Sequence, residues 1–106
     1  MNKVVLLIDT SSREAIRVAV DIDGERFEKV SGVQGTNAQK VLPMLESLLK
    51  EHNLAISDIS RINVNQGPGS FTGLRVGMSI ANTLSLLLGI PINTLKLGEI
   101  ALPLYA

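Results

Sequence analysis

The apolar and polar positions along this 106-residue chain fall into two periods. Residues 3 to 8 form a nearly unbroken apolar run, as expected of a central strand covered on both faces. Ala15 to Ile22 alternates, with Ile16, Val18, Val20 and Ile22 on one face and Arg17, Ala19 and Asp21 on the other. Asp23-Gly24 is a hairpin turn signal. Glu25 to Val33 then returns as a weakly apolar strand whose Lys29 suits a sheet edge. From here the period changes. Ala38, Val41, Leu42, Leu45, Leu48, Leu49 and His52 recur at spacings of three and four, which predicts a helix reaching about His52 with Thr36-Asn37 supplying its N-cap. Pro43 falls inside that stripe, so the first turn is expected to be loose and the helix firm from Pro43 onward. Ser57-Asp58 reads as a turn, and Arg61 to Asn65 as a strand.

A second helix is predicted from about Ser70 to Leu88, ended by Gly89 with Pro91 just beyond. Leu74, Met78, Ala81 and Ser85 share one face, while Val76, Ile80, Thr83, Leu84 and Leu87 share another. A helix apolar on so many sides implies burial on two of them. Ile90 to Thr94 is expected to form a fifth strand, and Gly98 to Leu102 to open a third helix. Two early antiparallel connections followed by strand–helix units make a single mixed α/β domain.

Composition narrows the chemistry. Ten basic and ten acidic residues cancel, and the only aromatics are Phe27, Phe71 and Tyr105. Autonomous nucleic-acid binding needs clustered cations or stacking platforms, so direct binding of nucleic acid by this chain alone is not expected. There is no cysteine and one histidine, His52, which excludes thiolate and His-rich metal centres. Met1-Asn2-Lys3 leads straight into a strand-length run with no signal peptide, and no apolar stretch approaches a membrane span. A cytoplasmic location is the expectation.

The most informative segment is Gly67-Pro68-Gly69-Ser70-Phe71-Thr72-Gly73-Leu74-Arg75, set between a strand and a helix. Free backbone N–H groups and the dipole at a helix start favour anions, and glycines let a ligand approach closely. Gly67, Gly69, Ser70, Thr72 and Gly73, together with Asp9 and Thr10 at the end of the first strand, are therefore candidate phosphate contacts. The glycine spacing fits neither the dinucleotide fingerprint nor a Walker A loop. The plainer reading is a structural turn capped by Ser70 or Thr72, with Asp9 capping its own turn through Thr10 and Ser11. Asn63 and Asn65 supply no second carboxylate for a two-metal site. Ser70 has no histidine close enough to act as base. Arg75 has either Asp9, a partner carboxylate or solvent as neighbour.

Val4-Val5-Leu6-Leu7-Ile8-Asp9-Thr10-Ser11-Ser12, Leu42-Pro43-Met44-Leu45 and the Gly67-to-Gly77 run occur in the order and at separations that resemble the amino-terminal half of the TsaB (YeaZ) family. The resemblance covers about residues 3 to 102. It implies a ribonuclease H-like fold of the actin, Hsp70 and sugar-kinase superfamily, a five-stranded mixed sheet in the order 3-2-1-4-5. It also implies a non-catalytic subunit that supports the related enzyme TsaD in threonylcarbamoyl transfer to tRNA adenosine, with no cofactor or metal of its own. A TsaE-type ATPase belongs to the wider complex. Members commonly carry a second domain, which is expected to be absent from residues 1–106, and a Gly-His-Ser where this chain has Thr36-Asn37-Ala38. The alternative is a nucleotide-binding enzyme of the superfamily that uses Asp9 and the 67–73 loop.

The resemblance further implies that the two helices form a docking face for TsaD or for a second copy. The expected contact residues are Val41, Leu45, Leu48 and Leu49 on the first helix, and Leu74, Gly77, Met78, Ala81 and Ser85 on the second. Gly77, Ala81 and Ser85, four residues apart, would let paired backbones approach closely.

Overall fold

The computed structural model describes residues 3–12, 14–32, 38–67 and 71–93. Its elements are β1 (Val4–Asp9), β2 (Ala15–Ile22), β3 (Glu25–Gly32), α1 (Ala38–Glu51), a 3-10 turn (Ile56–Asp58), β4 (Arg61–Val64) and α2 (Phe71–Leu88). The sheet runs β3-β2-β1-β4, with β2 antiparallel to both neighbours and β1 parallel to β4. The mixed α/β class and the first four sheet positions match expectation. β3 lies at the edge, as Lys29 and its weak hydrophobicity implied. Asp23 and Gly24 both take positive φ, 51° and 92°, which is what a two-residue turn matching the strand twist requires.

One face of the sheet carries the core. Val4, Leu6 and Ile8 of β1, Ile16, Val18 and Val20 of β2, and Ile62 and Val64 of β4 point to it. α1 covers β2 and β3 and α2 covers β4 and β1, so both helices share one apolar cluster. At the C-terminal end of α1 the His52 ring lies 4.1 Å from the Phe27 ring, and its Nδ1 is 2.9 Å from the Leu48 carbonyl. His52 is thus a half-buried packing residue between α1 and β3. No described helix is long and apolar enough to cross a membrane.

Three expectations change. The fifth strand reduces, among the described residues, to a single parallel bridge between Ile62 and Ile92. Asn93 follows at φ 51°, and this left-handed turn takes the chain out of extended conformation at once. Thr94, the Thr36-Asn37 cap and the third helix lie outside the described residues. α1 is regular from Ala38, ahead of Pro43. Pro43 occupies the exposed side, so its ring meets solvent and the helix forgoes only one hydrogen bond near its start.

The third change concerns the expected docking residues. Val41, Leu45, Leu48, Leu49, Leu74, Met78, Ala81 and Ser85 are all at most 4% exposed. They are the inward stripes of the two helices. A half-covered sheet takes the most continuous apolar face each helix offers, which leaves these side chains in the domain's own core and not on an outer patch. Gly77, also buried, serves an internal approach: a Cβ there would collide with the Thr10 hydroxyl and touch Val64. Among the described residues, the large apolar side chains left outside on the helices are Leu42, Leu86 and Leu87.

Candidate functional site

β1 ends between β2 and β4, so Asp9, Thr10 and Ser11 emerge where the parallel pair delivers Asn65 beside them. The Asn65 amide donates to the Ile8 carbonyl (3.0 Å) and prolongs that ladder by one residue. Extended backbone sends alternate side chains to opposite sides. Asp9 and Ser11 accordingly meet Asn65, while Thr10 turns toward α2.

Asp9 Oδ1 accepts from the Ser11 amide (3.0 Å), the Ser11 hydroxyl (2.6 Å) and Asn65 Nδ2 (3.2 Å). Burial pushes the Asp9 carboxyl upward. The Ser11 bonds, the Asn65 bond and the nearby Arg17 charge outweigh that push, and the net direction is below the usual carboxylate value. The charge of Arg17 acts on Asp9 across the end of the β1–β2 pair. Arg75 lies exposed on the first turns of α2. Asn65 Nδ2 also donates to Ser11 Oγ (3.1 Å), and its Oδ1 accepts from the Gly67 amide (2.9 Å). Gly67 takes φ 110°, a conformation that L side chains rarely adopt.

Thr10 is fully buried and donates its hydroxyl to the Gly73 carbonyl at 2.5 Å. An unpaired buried hydroxyl would cost about 1–3 kcal/mol, so this contact fixes the start of α2 against the strand end. Of the seven residues expected to handle phosphate, the structure brings Asp9, Thr10, Gly67 and Gly73 together. Gly69, Ser70 and the Thr72 side chain lie outside the described residues. The Gly67 amide, an expected anion donor, is already taken by Asn65.

On the sheet face away from α1 and α2 a shallow groove of about 270 Å3 runs past Asp9, Arg17, Glu28, Asn63 and Asn65. Its charges are matched within the chain: Arg17 pairs with Glu28 at 3.1 Å, and Arg26 with Asp21 at 2.9 Å. Among the described residues, no three of His, Cys, Asp and Glu gather as metal ligands. A superfamily nucleotide site would place Asp9 beside a magnesium-bound phosphate. Here the carboxylate oxygen that faces Asn65 is occupied three times over by neutral donors.

Two residues central to this region escaped the sequence reading. Asn65 registered only as a missing carboxylate, although an Asn just after a strand can bridge two loops. Asn93 accepts from the Val64 amide through Oδ1 (2.7 Å) and donates from Nδ2 to Gln66 Oε1 (2.9 Å). Its carbonyl also receives Arg61 Nη1.

Comparison with known proteins fits this geometry. The family model of TsaD, tRNA N6-adenosine threonylcarbamoyltransferase, matches residues 4–97. The tRNA threonylcarbamoyladenosine biosynthesis protein TsaB of Haemophilus influenzae is 35% identical over 91 residues, covering 86% of this chain and 38% of that protein. The Bacillus subtilis TsaB is 34% identical over 92 residues, 87% of this chain and 40% of its relative. The structure of YeaZ from Pseudomonas aeruginosa superposes with a TM-score of 0.81 at 32% identity, over 89% of this chain and 44% of that one. The chain thus spans less than half the length of each of these relatives. A shared fold and a family match over nearly the whole chain agree, and the chain belongs to this family, on its TsaB (YeaZ) branch.

Proposed function

We propose that residues 1–106 act as the amino-terminal domain of a TsaB-like subunit in tRNA threonylcarbamoyladenosine biosynthesis, contributing protein contacts while a TsaD-type subunit performs threonylcarbamoyl transfer. The observation that supports the non-catalytic reading is the commitment of Asp9 Oδ1 to three hydrogen bonds from Ser11 and Asn65. Through that oxygen Asp9 ties down its own loop, a structural task that asks for no nucleotide or metal. The zero net charge favours a protein partner over a direct hold on tRNA. A TsaE-type ATPase would join through that partner, and the setting is the cytoplasm.

The docking surface in this reading is the outer side of the two helices. Leu42 on α1 is 49% exposed, and Leu86 and Leu87 on α2 are 61% and 77% exposed. Between α1 and the 3-10 turn lies an apolar groove of about 490 Å3 whose exposed apolar lining is Leu42 and Ile56, with half-buried Leu54 and the core residues Leu45 and Leu49 behind them and Glu46 and Lys50 at its side. An apolar stripe on a partner helix, flanked by charges of the opposite order, would fill it. A second copy of the chain competes for the same surface.

The test is size-exclusion chromatography with light scattering on the chain mixed with the TsaD-type subunit of its own organism. A one-to-one complex at micromolar concentration is expected. Separate elution overturns the proposal. Calorimetry with magnesium-ATP accompanies it, and a saturable signal would favour the nucleotide-handling alternative instead.

A further inference from the structure

We propose that Asp9-Thr10-Ser11 is a two-sided clamp that grips Gly67 and Gly73, the described ends of the glycine-rich connection, and so sets the seat of α2 on the sheet. Three consecutive residues do this because an extended chain presents them alternately to opposite sides. On one side the hold is relayed. Asn65 Nδ2 donates toward Asp9 Oδ1 and Ser11 Oγ, at 3.2 and 3.1 Å, two acceptors that are themselves bonded at 2.6 Å and so share one side of the amide. That pins the amide plane with Oδ1 toward Gly67, whose N–H it accepts at 2.9 Å. The orientation of the Asn65 amide follows from its partners: a flipped amide would set its oxygen against the Asp9 carboxylate.

On the other side the hold is direct. The buried Thr10 hydroxyl reaches the Gly73 carbonyl in the first turn of α2. Gly77, one turn later, has no Cβ to keep Thr10 away. Both grips end on glycines, one on a backbone amide and one on a carbonyl, so neither depends on a side chain of the connection itself. Asp9 is then a positioning residue: it never touches Gly67, and it acts through Asn65. Its consequence for partner binding rests on the reading of the outer side of α2 as a docking surface, since a helix that shifts on the sheet carries Leu86 and Leu87 with it.

Amide hydrogen exchange followed by NMR tests the clamp without any partner. Asp9→Ala is expected to accelerate exchange at the Gly67 amide roughly tenfold while the β2–β3 amides keep their wild-type protection. Asn65→Ala should do the same, and the double variant should be no faster than Asn65→Ala alone, because the two residues act in series. Thr10→Val should instead accelerate the Gly77 amide, whose helical acceptor is the Gly73 carbonyl. Ser11→Ala removes one bond from Asp9 and one from Asn65, and serves as the same readout if Asp9→Ala does not fold. Wild-type exchange at Gly67 in a folded Asp9→Ala or Ser11→Ala variant overturns the clamp, as does an additive double variant. Failure of the wild-type chain to co-elute with the TsaD-type subunit sinks the docking reading alone, and the exchange rates still decide the clamp.

Discussion

Gly77 faces Thr10 at the junction of β1 and α2, and the fit leaves no room for a methyl group. Thr10 is short, buried and committed to Gly73, so it cannot swing aside as a long side chain could. Gly77→Ala is therefore expected to destabilise the domain by roughly 1–3 kcal/mol despite the gain in helix propensity, measured by urea unfolding. A variant as stable as wild type would mean that α2 does not sit where described. Asp9 makes a prediction of a different kind. Burial raises its folded pKa, but the bonds from Ser11 and Asn65 and the Arg17 charge outweigh that and hold it below the usual carboxylate value. The group thus contributes stability that is present above the unfolded value and lost as pH falls through the folded one. Asp9→Asn should narrow the difference between urea midpoints at pH 6 and pH 3; an unchanged difference would deny Asp9 that contribution. The sequence exposes Asp9 and Thr10 as candidates because they end an apolar strand. It gives no such signal for Asn65, whose partner lies 56 positions away and is brought near only by the parallel pairing of β1 and β4.

The ends of elements were more legible than their faces. α2 stops where expected: Gly89 takes φ 65°, the Ile90 amide reaches back to the Ser85 carbonyl at 3.1 Å, and the Ser85 hydroxyl bonds the Ile90 carbonyl at 2.5 Å. Nothing lies within 4 Å of a Cβ built at Gly89. Gly89→Ala should cost roughly 1–2 kcal/mol from backbone strain alone, read as a lower midpoint with an unchanged denaturant slope. The Asp23-Gly24 hairpin was equally readable, since few residue pairs accept two positive φ values in succession. Faces were harder. α2 is apolar on most sides, so periodicity alone could not separate the stripe of Leu74, Met78, Ala81 and Ser85, which packs inward, from Leu86 and Leu87, which do not. Ile90 to Thr94 has the composition of a strand, yet Asn93 prefers a left-handed turn in which its side chain bonds Val64 and Gln66. That preference is a property of the tertiary site and does not show in the alternation of residues.

At the scale of the molecule, a sheet with both described helices on one face leaves Leu42, Leu86 and Leu87 exposed on their outer sides, the surface proposed above for docking. Replacing Leu86 and Leu87 together with Glu is expected to change folding stability by less than about 0.5 kcal/mol per site, because neither is buried. Co-elution with the TsaD-type subunit should be lost; retention would place the docking surface elsewhere. Ala81→Arg is no substitute for that experiment, since a fully buried position would receive an unpaired charge and the domain itself would fail. The arrangement of β4 carries one more consequence, for solubility. A strand at the border of a sheet offers its outward amides to any passing chain and can seed fibrils. Here the Ile62 amide is held by the Pro91 carbonyl, and the Val64 amide by the Asn93 side chain. An incoming strand would find both of these donors already engaged. The opposite border, β3, presents Glu25, Arg26, Glu28 and Lys29, charges that a second sheet would have to strip of water. Among the described residues, both margins of the sheet thus resist growing edge to edge into aggregates.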